Sequence, residues 1–330
     1  MSLSSRLREL LGDPNPDQDV ELYSLFSQPL ISPLGGLDPT ASTLSLTVGS
    51  YSLTVHQSPG ILTSSRSEGT TGSILWAVTP HVAEWLLDET CILRTLGALS
   101  ESSVVLELGC GISGVLATTV GRRARDWVCA DLAYVMKGLR QNLRENLSSE
   151  RQRRPPTGGS AGSSKQRAGG GVRRAKAKEQ GLGEVEHRDE ERIGNVTMLE
   201  LDWTLHSLDT PSLPVGSLLR DVNVVIACDC IYNPALIEPF VQTCRDACRL
   251  RGSDNEDEIG DRESTICIVA QQLRSSEVFE EWLREFIQWF DVWRIDDEKL
   301  VAELRSDRGF CVHVGIVKDK KIRTGRAATR

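Results

Sequence analysis

The sequence predicts an α/β chain: a Rossmann-like, seven-stranded, mostly parallel sheet with an antiparallel edge hairpin and an N-terminal β extension. Three observations carry this. From Val104 onward, short apolar runs alternate with helical stretches, the pattern of a parallel sheet covered on both faces. The first of those runs ends in a glycine-rich turn, Gly109-Cys110-Gly111-Ile112-Ser113-Gly114, that leads into a helix. The last two runs follow each other without a helix between them, so they close as an antiparallel pair.

Each element follows in order. Residues 1–43 are rich in Ser, Pro and Gly around the apolar stretch 20–26, and read as an arm that docks locally. Leu44, Leu46 and Val48 alternate with polar residues, Gly49-Ser50 turns the chain, and Leu53 and Val55 resume the alternation, which predicts a β-hairpin. A short helix over 79–87 begins near Pro80, a residue favoured in a first turn. Buried strands are expected at 104–108, 127–130, 196–201, 222–228 and 265–271, and helices at 134–146 and 234–250. In the clearest helix Val278, Phe279, Trp282, Leu283, Phe286, Ile287 and Phe290 recur at three- and four-residue spacing. Its aromatic stripe reads as core packing, with Ser276 as the N-cap. Strands at 292–295 and 311–317 end the sheet.

A length of 330 residues suggests two domains, yet the alternation is that of one, spanning 44–317. A disordered basic insert is expected at 151–190, whose first part, 151–178, holds nine Lys or Arg and no acid. A basic tail follows at 318–330. The net charge of −8 argues against general nucleic-acid binding, although insert and tail could make a weak RNA contact. No apolar run reaches the ~20 residues of a membrane span, and residues 1–11 lack the basic-then-apolar order of a secretory signal. The expectation is a cytoplasmic protein, monomeric and without membrane contact. The nine cysteines are odd in number, form no CxxC and sit mostly in apolar runs. No histidine cluster completes a metal site around Cys228 and Cys230 or around Cys244 and Cys248. They read as reduced, buried residues, and no metal is expected.

The chemistry begins at the glycine-rich turn. Gly109, Gly111 and Gly114 satisfy GxGxxG directly after a strand, and Asp131 ends the next strand, placed to receive a ribose diol. An adenosine-containing cofactor is the functional reading, and a glycine-tightened strand–helix turn the plainer one. Glu107 narrows the choice. A carboxylate inside an apolar strand end is costly unless something polar or cationic meets it. A sulfonium cofactor with an amino-acid tail brings positive charge there. A nicotinamide cofactor brings a pyrophosphate, which a neighbouring carboxylate would repel.

Four ordered blocks then carry a resemblance: Gly69-Thr70-Thr71-Gly72-Ser73-Ile74-Leu75-Trp76, Leu106 to Gly114 with Ala130-Asp131, Leu199-Glu200-Leu201-Asp202-Trp203, and Ala227-Cys228-Asp229-Cys230-Ile231-Tyr232. Together they resemble the class I S-adenosylmethionine-dependent methyltransferases, in the protein-lysine branch typified by methyltransferase-like protein 21 and, within it, the ribosomal lysine N-methyltransferase 5 type. The resemblance implies S-adenosyl-L-methionine as cofactor and a large-subunit ribosomal protein as substrate. Carried onto this sequence, it implies that Trp76 closes over the cofactor and that Gly109, Cys110 and Gly111 line its amino-acid and ribose portions. Asp131 would hold the ribose hydroxyls, Trp203 would flank the adenine and Cys228 would give a wall contact. Asp229 and Tyr232, in a D-x-x-Y motif, would face the methyl-transfer site. Asp229 is expected to position the lysine amine or its peptide, and Tyr232 to wall the channel. Rival readings are a nucleic-acid or small-molecule methyltransferase, disfavoured by the absence of a Pro-Pro step in 229–232, a nicotinamide dehydrogenase, and a cofactor-binding assembly factor that holds a ribonucleoprotein.

Overall fold

A computed structural model describes residues 2–15, 17–27, 35–65, 69–148, 192–206, 208, 216–251 and 264–318. The expected basic insert and tail lie outside these residues, apart from Lys318. In chain order the elements are α1 (Leu3–Leu11), α2 (Gln18–Phe26), β1 (Thr43–Val48), β2 (Tyr51–His56), α3 (Pro59–Leu62), α4 (Val78–Leu87), α5 (Ile92–Thr95), β3 (Val104–Leu108), α6 (Val115–Thr119) and β4 (Asp126–Asp131). There follow α7 (Ala133–Ser148), β5 (Arg192–Ile193), β6 (Val196–Glu200), α8 (Gly216–Leu219), β7 (Val222–Cys228), α9 (Ile237–Leu250), β8 (Ile266–Gln272), α10 (Ser276–Trp289), β9 (Phe290–Arg294) and β10 (Phe310–Val317).

The main sheet runs β5-β6-β4-β3-β7-β8-β10-β9. Strands β6, β4, β3, β7 and β8 are parallel. β10 lies antiparallel between β8 and β9, and the connection from β9 holds three short 3-10 turns and no α-helix. Seven strands match the expectation, and a two-residue β5 adds an eighth, antiparallel to β6. It forms where Gly194, at φ +63°, folds the chain back and Arg192 pairs with Asp126 at 2.7 Å. The central strands are buried on both faces, which is why they read as continuous apolar runs rather than alternating ones. Opposite parities feed two cores: Val105 and Cys129 face one layer, and Leu106, Val128 and Ala130 the other.

Order reverses at β3, whose neighbours β4 and β7 lead to opposite halves of the sheet. The carboxyl ends of strands at such a switch point form a crevice, and the site lies there. The β1–β2 hairpin is fixed to α7. Asn142 Oδ1 accepts from the His56 amide at 2.8 Å and Asn146 Oδ1 from the Thr54 amide at 2.9 Å, while both side-chain amides donate back to the carbonyls of those residues. Two asparagines one helical turn apart therefore satisfy an open strand edge.

Two local expectations change. The arm holds two helices, α1 capped by Ser2 and α2 by Asp17. Between them the chain crosses the free edge of β9, where the Asn15 amide donates to the Val292 carbonyl at 2.6 Å and Asn15 Oδ1 accepts from the Val292 amide at 3.2 Å. Leu7 then reaches one core and Leu25 the other. The cap of α10 is Ser275, not Ser276: its extended backbone frees Oγ to accept from the Val278 amide at 3.3 Å, while Ser276 is already helical. The stripe itself packs as core, with Phe279, Trp282, Leu283 and Phe286 buried. Among the described residues no helix is long and apolar enough to cross a membrane.

Candidate active site

A cavity of about 440 Å³ opens at the carboxyl ends of β3, β4, β6 and β7, within the size range of small-molecule and cofactor sites. Gly109 and Gly111 form its floor, both at φ +63°, a backbone state that glycine reaches without penalty. The Gly109 amide donates to the Ala130 carbonyl at 2.9 Å, which fastens the turn to the neighbouring strand. Asp131 then fixes the turn from the side. Its Oδ2 accepts from the Gly111 amide and its Oδ1 from the Leu132 amide, each at 2.7 Å. Burial nevertheless pushes its carboxyl up to about 6, against the pull of those two donors. Each oxygen keeps acceptor capacity for a diol.

Two further walls come from distant segments. The loop before α4 is held by the Ile112 amide donating to the Gly72 carbonyl at 2.7 Å and by the Tyr134 hydroxyl accepting from the Gly72 amide at 3.0 Å. It presents Trp76, whose Nε1 donates to the Thr71 carbonyl at 2.9 Å. From the β6 end comes Trp203, tilted against Phe240 at 5.1 Å between ring centroids. Trp203 Nε1 is buried with no hydrogen-bond partner among the described residues. Asp202 caps its own turn, accepting from the Thr204 amide and hydroxyl, and also lines the cavity.

The fourth wall is the loop after β7. Asp229 stands at φ +61°, an uncommon state for a residue other than glycine, anchored by its amide to the Ala270 carbonyl at 2.8 Å. Tyr232 is 42% exposed, yet its hydroxyl reaches across the mouth to accept from Thr71 Oγ1 at 3.1 Å. Desolvation of that end raises the phenol further, so it is un-ionised at neutral pH.

Nine of the ten residues singled out in the sequence line this cavity: Trp76, Gly109, Cys110, Gly111, Asp131, Trp203, Cys228, Asp229 and Tyr232. Glu107 does not. Strand parity turns its side chain into the layer beside Cys129, where it is 2% exposed and accepts from Trp127 Nε1 at 2.8 Å. Burial pushes its carboxyl up to about 8. The cost of a carboxylate there is therefore met by an indole N–H and by protonation, not by a cation in the cavity. Asp229 lines the cavity with a partner that the sequence did not indicate: both its oxygens accept from the Arg274 guanidinium, through Nη1 at 2.7 Å and through Nη2. Sequence reading missed Arg274, Thr71 and Tyr134. The available signal for Arg274 was a lone cation two residues past a buried strand.

All nine cysteines are buried with free thiols, and the described residues contain no group of three or more side chains suited to a metal. An orphaned indole N–H, a carboxylate with spare acceptor sites and glycines whose added Cβ would fill the floor together fit a ribose-bearing cofactor with an aromatic base.

No protein-family model matches the chain. A curated protein of Zygosaccharomyces rouxii, ribosomal lysine N-methyltransferase 5, is 30% identical over 252 residues, 72% of this chain and 71% of that protein. The chain belongs to the ribosomal lysine N-methyltransferase 5 family. A second relative of this family member, diaminohydroxyphosphoribosylamino-pyrimidine deaminase of Schizosaccharomyces pombe, is 26% identical over 286 residues, 87% of the chain. Only 54% of that protein is matched, so its name describes a length this methyltransferase-family chain does not span. Among solved structures, a putative S-adenosylmethionine-dependent methyltransferase from Streptococcus mutans is similar to the chain at TM-score 0.39 and 10% identity, covering 84% of this chain and 56% of that one.

Proposed function

We propose that the chain is an S-adenosyl-L-methionine-dependent protein-lysine N-methyltransferase that works as a cytoplasmic monomer on a large-subunit ribosomal protein. The observation that carries the reading is one cavity joining the Gly109–Asp131 cradle to the Asp229–Tyr232 loop, so cofactor and acceptor can meet inside it. The lysine acceptor and its ribosomal carrier rest on the name of the 30% identical relative.

When bound, the cofactor supplies an electrophilic methyl group on a sulfonium. Asp131 would receive the ribose hydroxyls, Gly109, Cys110 and Gly111 would let the backbone approach, and Trp203 would flank the base. Trp76 and the Thr71–Tyr232 hydrogen bond would narrow the acceptor channel. The attacking lysine must be neutral, yet only about 0.04% of free lysine is neutral at pH 7 from its pKa of ~10.4. An aromatic channel disfavours the ammonium by desolvation. Alignment then supplies much of the rate.

Methyl-labelled S-adenosylmethionine incubated with the protein and large-subunit ribosomal proteins should label one protein band, alkali-stable and absent with Asp131→Ala. Label in RNA, or none despite cofactor binding, would refute the protein-lysine reading. A pH dependence follows as well. Asp131 accepts hydroxyls best when ionised, so affinity for S-adenosylhomocysteine should be level above pH 7. Below its pKa of about 6 it should fall, approaching tenfold per unit. Calorimetry from pH 5 to 8 checks this, and Asp131→Asn should flatten the profile at a lower affinity.

A further inference from the structure

The Asp229 side chain is 1% exposed and stands in the cavity wall, where an uncompensated carboxylate would be costly and chemically consequential. It would attract a lysine ammonium and hold it protonated, the form that cannot attack a methyl group. Arg274 answers both problems from outside the cavity lining. Its guanidinium takes Asp229 in a two-pronged grip, and Asp229 Oδ1 also accepts from the Gln272 amide at 3.3 Å. The same guanidinium donates to Gln272 Oε1 at 3.1 Å and lies over the Trp76 ring, 5.1 Å from its centroid. Gln272 Oε1 in turn accepts from the Gly35 amide at 3.0 Å, and Gly36 bridges Trp76. One cation thus ties together the β7 loop, the β8 end and the segment around Trp76.

We infer that Arg274 is a positioning residue that locks Asp229 and Trp76 from behind the wall and cancels the Asp229 charge at the methyl-transfer end of the cavity. This rests on the reading that the cavity takes a sulfonium cofactor. Asp229 is then a wall held in place and not a base, and the acceptor amine meets a surface of no net charge. A lysine at 274 would keep the charge but lose the planar fork.

The test compares equilibrium binding of S-adenosylmethionine, cationic at sulfur, with S-adenosylhomocysteine, neutral there, using the full chain. A role in packing alone weakens both ligands alike. Charge cancellation moves their ratio. Arg274→Met should shift the ratio toward S-adenosylmethionine by roughly fivefold, the scale of one partly screened charge in a protein wall. Asp229→Asn, which leaves the guanidinium unopposed, should shift it the other way, and the double variant should return to within about twofold of wild type. Arg274→Lys should weaken both ligands with the ratio unchanged, so Asp229→Asn and Arg274→Lys still decide the matter if Arg274→Met does not fold. Arg274→Met and Asp229→Asn variants that leave the ratio still, or that both move it in the same direction, overturn the role of Arg274. A wild type that binds neither ligand overturns the cofactor reading itself.

Discussion

Gly109→Ala is expected to weaken S-adenosylhomocysteine binding by more than about 100-fold and to lower stability by about 2–5 kcal/mol, the sum of backbone strain and overpacking. At φ +63° an L residue costs roughly 1–2 kcal/mol. The larger part is steric. An added Cβ would stand 2.6 Å from Cys230 Sγ and 3.3 Å from the Trp203 ring. Cys230 is 6% exposed, lines the cavity and donates its thiol to the Leu108 carbonyl at 3.5 Å, so a retreat from the new methyl gives up that contact. Displacing either neighbour moves a cavity wall. Gly194 supplies the control, because it has the same φ of +63° but nothing within 4 Å of an added Cβ. Gly194→Ala should show the strain alone, about 1 kcal/mol, with binding unchanged. Thermal unfolding and calorimetry on both variants check this, and equal losses in the two would refute the steric account.

The parts of this molecule that were legible in the sequence are those with local causes. Val104–Leu108 and Val222–Cys228 are buried on both faces, so apolarity without alternation announced them. The glycine-rich turn was legible because a positive φ beside a strand end leaves few residue choices. What escaped reading depends on partners far along the chain. Asp229 and Arg274 are 45 residues apart, and neither neighbourhood signals the other. Helix α2 hid itself because a residue on its buried side is Glu21, a carboxylate that meets His313 at 3.0 Å and Arg294 at 3.5 Å across the sheet. A charge satisfied by tertiary structure erases the periodicity by which a helix is recognised. Glu107 misled for the same reason: its partner Trp127 comes from the adjacent strand, so the sequence showed the cost and not its remedy.

Glu107 also sets the second large effect. Its carboxyl rises from an ordinary value of 4.5 to about 8 because burial outweighs the hydrogen bonds from Trp127 and Cys129. An acid with a folded pKa above its unfolded one stabilises the fold fully below the unfolded value. It loses that contribution as pH climbs through the folded value. Here the window is about pH 4.5 to 8, and at ~1.4 kcal/mol per unit the loss is of order 4–5 kcal/mol. Glu107→Gln keeps the shape and an acceptor for the Trp127 N–H but cannot ionise. Urea unfolding at a series of pH values should therefore show the variant gaining on wild type by roughly 4 kcal/mol between pH 5 and 8.5. Parallel curves would mean that the carboxyl titrates normally. The consequence reaches the cavity because a charge on Asp131 opposes ionisation of Glu107. With the two carboxyls at about 6 and about 8, Asp131 ionises first as pH rises. Near neutral pH the cradle thus carries one negative charge, on the carboxylate that lines the cavity and can receive a ribose, while the one beneath the floor stays a neutral acid.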